Sequence, residues 1–202
     1  MKNIKDYFNS FQCPTETTLV GPQRTTPAPL VDHPLIYVDG GTYQRQASEG
    51  FAVGDGDSYD GRLDQKLNPK KDFNDLSYPL MFLPDTVKAV HLLGFLGARR
   101  DHEAANLGEV HALLKRHQPR TVFLDDAVIG FSAGIGDFEW DGLFSLMAFE
   151  PTQVKLTGQC AYQLTQETEL KPFSSVGLSN IASGKVTVQA DKPVFIFKVS
   201  TT

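Results

Sequence analysis

Four apolar residues in an unbroken run, Leu35-Ile36-Tyr37-Val38, lead straight into Asp39-Gly40-Gly41. A run of that length without alternation suits a strand covered on both faces, the situation of a parallel sheet, where crossover segments pack above and below. Thr17 to Val20, ended by Gly21-Pro22, reads as an earlier strand; Phe51-Ala52-Val53, Ala89 to Phe95 and Thr121 to Leu124 read as later ones. Between them lie segments with helical signals. Thr42 to Glu49 suits a short helix stopped by Gly50, and Asn74 or Asp75 can cap another, with Pro79 tolerated in its first turn. Asp101 to His117 repeats apolar positions at Ala105, Leu107, Val110, Leu113 and Leu114, closes on the basic Lys115-Arg116-His117, and meets Pro119. Strands alternating with helices predict a doubly wound, mostly parallel α/β domain over residues 1–130. Residues 1–12 read as a loosely attached amphipathic lead-in.

From Gly130 onward the pattern changes to short strands and turns without a helix: Gly142 to Phe149, Gln153 to Leu156, Ala161 to Leu164, Gly184 to Ala190 and Val194 to Val199. Lys185-Val186-Thr187-Val188-Gln189 alternates at period two, with Lys192-Pro193 set for a turn. This predicts a small antiparallel β-sandwich over residues 131–202.

A formal net charge of −5 with no basic stripe argues against a general nucleic-acid binder, so any bound anion needs a local site. No apolar run approaches the roughly 20 residues of a membrane helix, and Met1 to Phe11 lacks the apolar centre of a secretory signal. Cys13 and Cys160 lie far apart and form no metal-ligand spacing. The expected location is the cytosol.

In open α/β sheets, ligands bind beyond the carboxyl ends of the strands. Three predicted strands end in charged, glycine-containing segments: Asp39-Gly40-Gly41, Gly54-Asp55-Gly56-Asp57-Ser58, and Gly94 to His102 with Arg99 and Asp101. Carboxylates gathered at one sheet edge call for a counter-ion, and Asp55 and Asp57, separated by a glycine, can both turn toward one magnesium ion. Asp72 and Asp75, beside Lys70 and Lys71, form the next acidic set; Lys71 can offer a point charge to phosphate. Arg99 adds a fork of donors near the start of a helix, where backbone N–H groups favour anions. A surface turn at 54–58 and helix caps at Asp75 and Asp101 are the plain structural alternatives. The glycines spell neither a Walker A loop nor a dinucleotide fingerprint.

Taken in order, Asp39-Gly40-Gly41, Gly54-Asp55-Gly56-Asp57-Ser58, Lys71-Asp72-Phe73-Asn74-Asp75, then Gly94, Gly97, Arg99, Asp101, His102 and Asn106, with Thr157-Gly158 and Ser179-Asn180, resemble the thiamin pyrophosphokinase family over about residues 17–200. The resemblance implies an N-terminal α/β domain and a C-terminal β-sandwich in a homodimer that moves a pyrophosphoryl group from ATP to the hydroxyl of thiamin, giving AMP. It implies magnesium at Asp55, Asp57 and Asp75; Asp39, Gly40, Lys71, Asp72 and Arg99 toward the nucleotide; Asp101 near the accepting hydroxyl; and Ser179 and Asn180 toward thiamin. The chain departs from the family pattern at Asn74 (often threonine), at Ala98 (commonly glycine), and at Gln159-Cys160-Ala161-Tyr162, where many members carry Lys-Trp and where Tyr162 would supply the stacking ring. Trp140 is another ring, expected to pack in a strand. The altered segment keeps open a different thiamin-like alcohol as acceptor, as well as a nucleotide- or thiamin-binding protein without turnover.

Overall fold

A computed structural model describes residues 3–46, 49–97, 99–116 and 120–199. Ala98, His117 and Pro119, which the sequence reading invoked, lie outside the described residues. The chain divides into two compact units, Met1–Glu109 and Val110–Thr202. The division falls inside the long helix, whereas the sequence pattern changes near residue 130.

The first unit holds α1 (Ile4–Asn9), β1 (Glu16–Val20), β2 (Leu35–Val38), β3 (Phe51–Gly54), β4 (Gln65–Lys66), α2 (Ser77–Met81) and β5 (Ala89–Leu93), with the first part of α3 (Arg100–Arg116). Its strands run β5-β1-β2-β3-β4, every pair parallel. The chain builds outward from β1 to β4 and then returns to β5 on the other side of β1, so strand order reverses at β1. The unbroken apolar runs behave as expected: all four residues of β2 and of β3 are buried.

The crossovers differ from the doubly wound expectation. Among the described residues, β1 to β2 and β3 to β4 carry no helix, and β2 to β3 carries only a 3₁₀ helix, Asp39–Gln44, in place of the one read at Thr42 to Glu49. Pro27, Pro29 and Pro34 punctuate the first of these connections, and each removes a backbone donor a helix would need. The helix near Pro79 is the single turn α2, and the long one is α3, close to its expected span.

The lead-in is not loose. Asn3 caps α1, its Oδ1 accepting the Asp6 N–H at 3.0 Å, and Ile4, Tyr7 and Phe8 are buried. The Tyr7 hydroxyl donates to the Leu35 carbonyl and accepts the Leu35 N–H, both at 3.0 Å, while its ring stacks on Phe51 at 5.3 Å. One phenol therefore satisfies both backbone groups at the start of β2.

The second unit contains the rest of α3, then β6 (Thr121–Leu124), β7 (Val128–Phe131), β8 (Gly134–Ala148), β9 (Thr152–Cys160), β10 (Leu164–Leu170), β11 (Asn180–Ala190) and β12 (Val194–Val199). Their order is β10-β9-β11-β8-β12-β7-β6, all antiparallel. The 15-residue β8 pairs with β11 from Gly134 to Phe144 and with β12 from Leu143 to Ala148, so one strand serves both halves of the unit. Both halves close over one core that includes Phe138, Phe144, Leu156, Val186, Val188 and Ile196. Of the strand read at Ala161 to Leu164, Ala161 to Gln163 form the turn between β9 and β10 and Leu164 opens β10.

Six antiparallel pairings stand against four parallel ones among the described residues, so the fold is mixed with few helices, and the mostly parallel description is corrected. The long period-two segments of the second half make the longest ladders, and those can only alternate one face in and one face out.

Candidate active site

The carboxyl ends of β1, β2, β3 and β5 meet the start of α3 around a cavity of about 240 Å³ lined by Pro22, Asp39, Asp57, Ser58, Asp75 and Asn106, among others. It lies at the reversal of strand order, where such sheets carry their ligands. Pro22 and Phe95 join the lining without having been singled out from sequence, and each follows a strand end by two residues. Position after a strand was the available signal.

Asp39 is the decisive side chain. It sits at the end of β2 with φ of 47°, a left-handed conformation uncommon for a residue with a β-carbon but tolerated by aspartate, and it is 6 % exposed. Its Oδ1 is buried without a hydrogen-bond partner. Burial pushes this carboxyl above the usual aspartate range; Ser58 opposes the shift, and Asp57 and Asp75 add to it. Asp39, Asp55 and Asp57 each bring a carboxylate oxygen within 4.8 Å of the other two. Gly54 makes the approach possible: a β-carbon there would lie 2.8 Å from Asp39 Cα and 2.9 Å from Asp39 Oδ1. Beyond it, Gly56 at φ of 82° turns the loop so that the Asp57 N–H donates to Asp55 Oδ1 at 3.1 Å and the Ser58 hydroxyl donates to Asp57 at 2.8 Å.

Lys71 joins the same cluster through Asp55. Its Nζ lies 2.6 Å from Asp55 Oδ2 and 3.1 Å from Asp75 Oδ1, with the lysine side chain 7 % exposed. Its hydrogen bond holds the Asp55 carboxyl below the usual range. Burial opposes the charge on Lys71, yet the two carboxylates prevail and raise its pKa. Asp75 goes the other way: burial raises it despite Lys71. Asn74, not Asp75, bonds to the first residue of the following helix, its Oδ1 accepting the Ser77 N–H at 2.8 Å and the Ser77 hydroxyl at 2.7 Å. That leaves Asp75 free to face Lys71. Gly40 is buried beside Asp39, and Asp72 is exposed and outside the lining.

Arg99 and Asp101 stand apart from this cluster's contacts. They are exposed and pair with each other at 2.6 Å, which draws the Asp101 carboxyl down to about 2. His102 and Asn106, one and two turns along α3, do line the cavity, and the Asn106 amide donates to the Phe95 carbonyl at 2.9 Å, tying the end of β5 to the helix.

In the second unit, Asn180 is buried and its amide is used locally. Its Oδ1 accepts the Tyr162 N–H at 3.0 Å and the Ile181 N–H at 2.8 Å, and its Nδ2 donates to the Tyr162 carbonyl at 2.6 Å. This clamp holds the β9–β10 turn and leaves the Tyr162 ring 67 % exposed. Ser179 precedes it at φ of 58°, its N–H donating to Ser145 Oγ at 3.2 Å. Trp140 packs partly against the core, as a strand residue would, with Lys198 Nζ 5.0 Å from its ring centre.

No protein-family model matches the chain, and neither does any curated protein. Solved structures do. Thiamin pyrophosphokinase from Geobacillus thermodenitrificans superposes with a TM-score of 0.70 at 19 % identity, over 93 % of this chain and 99 % of that one. Thiamine pyrophosphokinase from Bacillus subtilis gives 0.66 at 19 % identity over 92 % and 99 %, and thiamin pyrophosphokinase from Candida albicans 0.69 at 13 % over 91 % and 88 %. The chain has the thiamin pyrophosphokinase fold. The match spans 92–93 % of this chain in the two bacterial structures and so takes in both the parallel and the antiparallel part. No described helix is long and apolar enough to cross a membrane.

Proposed function

We propose that the chain belongs to the thiamin pyrophosphokinase family and transfers a pyrophosphoryl group from ATP to the hydroxyl of thiamin, giving thiamin diphosphate and AMP. The observation that carries this reading is Asp39: a buried carboxylate with an unpartnered oxygen, clustered with Asp55 and Asp57 and lining, with Asp57 and Asp75, a cavity at the strand ends. Leaving such an oxygen unpaired is costly unless a cation completes it. An all-carboxylate donor set suits a hard cation such as magnesium, and the missing β-carbon of Gly54 lets Asp39 lie close against the end of β3. When bound there, magnesium supplies charge neutralisation for the phosphates of ATP. Asp39, Asp55 and Asp57 would hold it in this proposal, with Asp75 in the same cavity wall and paired with Lys71.

The remaining chemistry belongs to the chain. Pyrophosphoryl transfer needs an in-line approach of the alcohol and a dry, fixed phosphate site more than covalent help. Phe95, Pro22 and Leu76 give the cavity an apolar wall, and the Asn106 amide holds the Phe95 carbonyl. Arg99 and Asp101 are exposed at the start of α3; exchange of their mutual pair for substrate contacts would turn Arg99 toward the phosphates and Asp101 toward the accepting hydroxyl. Ser179, Asn180 and Tyr162 are the proposed thiamin contacts of the second unit, Asn180 by holding the turn that presents the Tyr162 ring. The homodimer, the cytosolic location and the nucleotide contacts of Gly40, Lys71 and Asp72 belong to the same proposal.

Because the Asn180 amide is spent on its own backbone, the acceptor side also favours a second reading, a different thiamin-like alcohol. The deciding experiment follows AMP release from ATP and magnesium with purified protein. Thiamin-dependent AMP supports the first reading, AMP only with a related alcohol supports the second, and nucleotide binding with no turnover on any alcohol refutes both.

A further inference from the structure

A second cavity, of about 280 Å³, lies at the connection from β3 to β4 and shares no lining residue with the one at the strand ends. Gly56, Tyr59, Asp60, Gly61, Arg62 and Lys66 are in its lining. Parallel strands are usually joined through a helix. Here residues 55–64 alone carry the chain from β3 to the edge strand β4, and they curl around open space. Two glycines shape that space. Gly56 turns at φ of 82°, and the Lys66 ammonium reaches over it, 3.7 Å from where a β-carbon would stand. Gly61 lets the Tyr59 ring fold back, since a β-carbon there would lie 2.5 Å from the Tyr59 hydroxyl oxygen. Tyr43 holds the same ring edge-on at 4.8 Å.

The carboxylates of this connection are all engaged away from its two cations. Asp55 meets Lys71 at 2.6 Å, Asp57 the Ser58 hydroxyl at 2.8 Å, Asp60 the Tyr43 hydroxyl at 3.1 Å, and Asp64 meets Arg45 at 2.8 Å. Arg62 and Lys66 are close in sequence to all four, yet neither makes an ion pair with any described residue. In a chain of net charge −5, two such cations lining one cavity make a local anion-attracting field. We infer that this cavity is a second ligand site, which takes a compact phosphate-bearing anion between the Arg62 guanidinium and the Lys66 ammonium, with the Tyr59 ring beside it. Arginine grips two phosphate oxygens at once, and lysine adds a point charge. The inference does not rest on the metal reading. Asp57 and Ser58 line the strand-end cavity while Gly56 and Tyr59, on either side of them, line this one, so one loop serves both.

The test is isothermal titration calorimetry of the full chain with inorganic pyrophosphate in chelator, where the carboxylates of the strand-end cavity repel anions. Wild type should bind one pyrophosphate per chain, about threefold more weakly or worse when salt is raised fourfold. Arg62→Met and Lys66→Met should each weaken binding by about fivefold or more, and Arg62→Lys by less than Arg62→Met. Lys88→Met, which removes an equal charge elsewhere on the same unit, should stay within about twofold of wild type, and so should Arg99→Met. Phenyl phosphate against inorganic phosphate reads the Tyr59 ring. Tighter binding of the ester means that the anion arrives on a planar ring and weaker binding that it arrives free; either supports the site where Arg62→Met and Lys66→Met lose it. No pyrophosphate binding by wild type overturns the inference, and so does binding that survives in the Arg62→Met/Lys66→Met double variant. Loss of binding in Arg99→Met assigns the anion to the strand-end cavity and overturns it as well. Thiamin-dependent AMP release is read separately, so the proposed activity can fail while this site stands, and the reverse.

Discussion

Replacing Asp39 by asparagine should make the metal-free protein more stable and deprive it of its response to magnesium. Asparagine tolerates the left-handed backbone at this position as well as aspartate does, so the change removes charge and little else. At 4.8 Å, the outer limit of its separation from the ligand oxygens of Asp55 and Asp57, a pair of unit charges repels by about 0.9 kcal/mol in water-like screening. With the stronger effective field near a protein surface the figure is about 3.5 kcal/mol per pair. Lys71 already offsets part of the Asp55 charge and Asp57 is exposed, which puts the relief toward the lower end. A net gain of about 1–2 kcal/mol in chelator-treated protein follows. For a chain of this size that is roughly 2–8 °C in Tm.

Magnesium acts oppositely. At a hundred times its Kd, an ion that binds only the folded state adds about 2.7 kcal/mol, or roughly 5–11 °C. Scanning calorimetry of both proteins, with chelator and with saturating magnesium, should therefore show the order of stability invert: the variant melts higher without metal and lower with it. A variant that melts below wild type in chelator, or that keeps the magnesium shift, would refute the assignment of Asp39 as a metal ligand held in a strained, charge-crowded position.

Two further measurements probe the frame around the site. Tyr7→Phe leaves the buried N–H and carbonyl of Leu35 without the hydroxyl that serves both, and should cost about 1–3 kcal/mol with the magnesium shift intact; a Tm equal to wild type would show that α1 does not secure β2. In the second unit, Lys115 holds the Glu150 carboxyl below its usual range, with His111 Nε2 3.2 Å away. A depressed carboxylate contributes stability above its unfolded pKa and loses it as pH falls through the folded one. Glu150→Gln should thus cost on the order of 1 kcal/mol near pH 7, with the gap to wild type closing below about pH 4 in urea titrations; a gap independent of pH contradicts the ion pair.

What could be read from the sequence and what could not divide along physical lines. Unbroken apolar runs such as Leu35 to Val38 identify buried parallel strands because burial on both faces is a local compositional demand. The acidic segments at their ends fall together because a parallel sheet sends every carboxyl end to one edge. The bare crossovers were not readable, since Thr42 to Glu49 has tolerable helical propensity and loses to the turn that Asp39 must make at φ of 47°. Tyr7 escaped notice because its value lies in a partner 28 residues away.

The ligand set shows the same limit more sharply. Sequence grouped Asp75 with Asp55 and Asp57 by resemblance, yet the four-residue spacing from Lys71 to Asp75 already allowed an ion pair along the chain. Spacing states which contacts are allowed, and only packing decides between them. Here packing pairs Lys71 with Asp55 and Asp75, and leaves Oδ1 of both Asp39 and Asp75 buried without a hydrogen-bond partner. A site for an external cation is thus defined less by how many carboxylates are present than by which of them the chain has failed to neutralise.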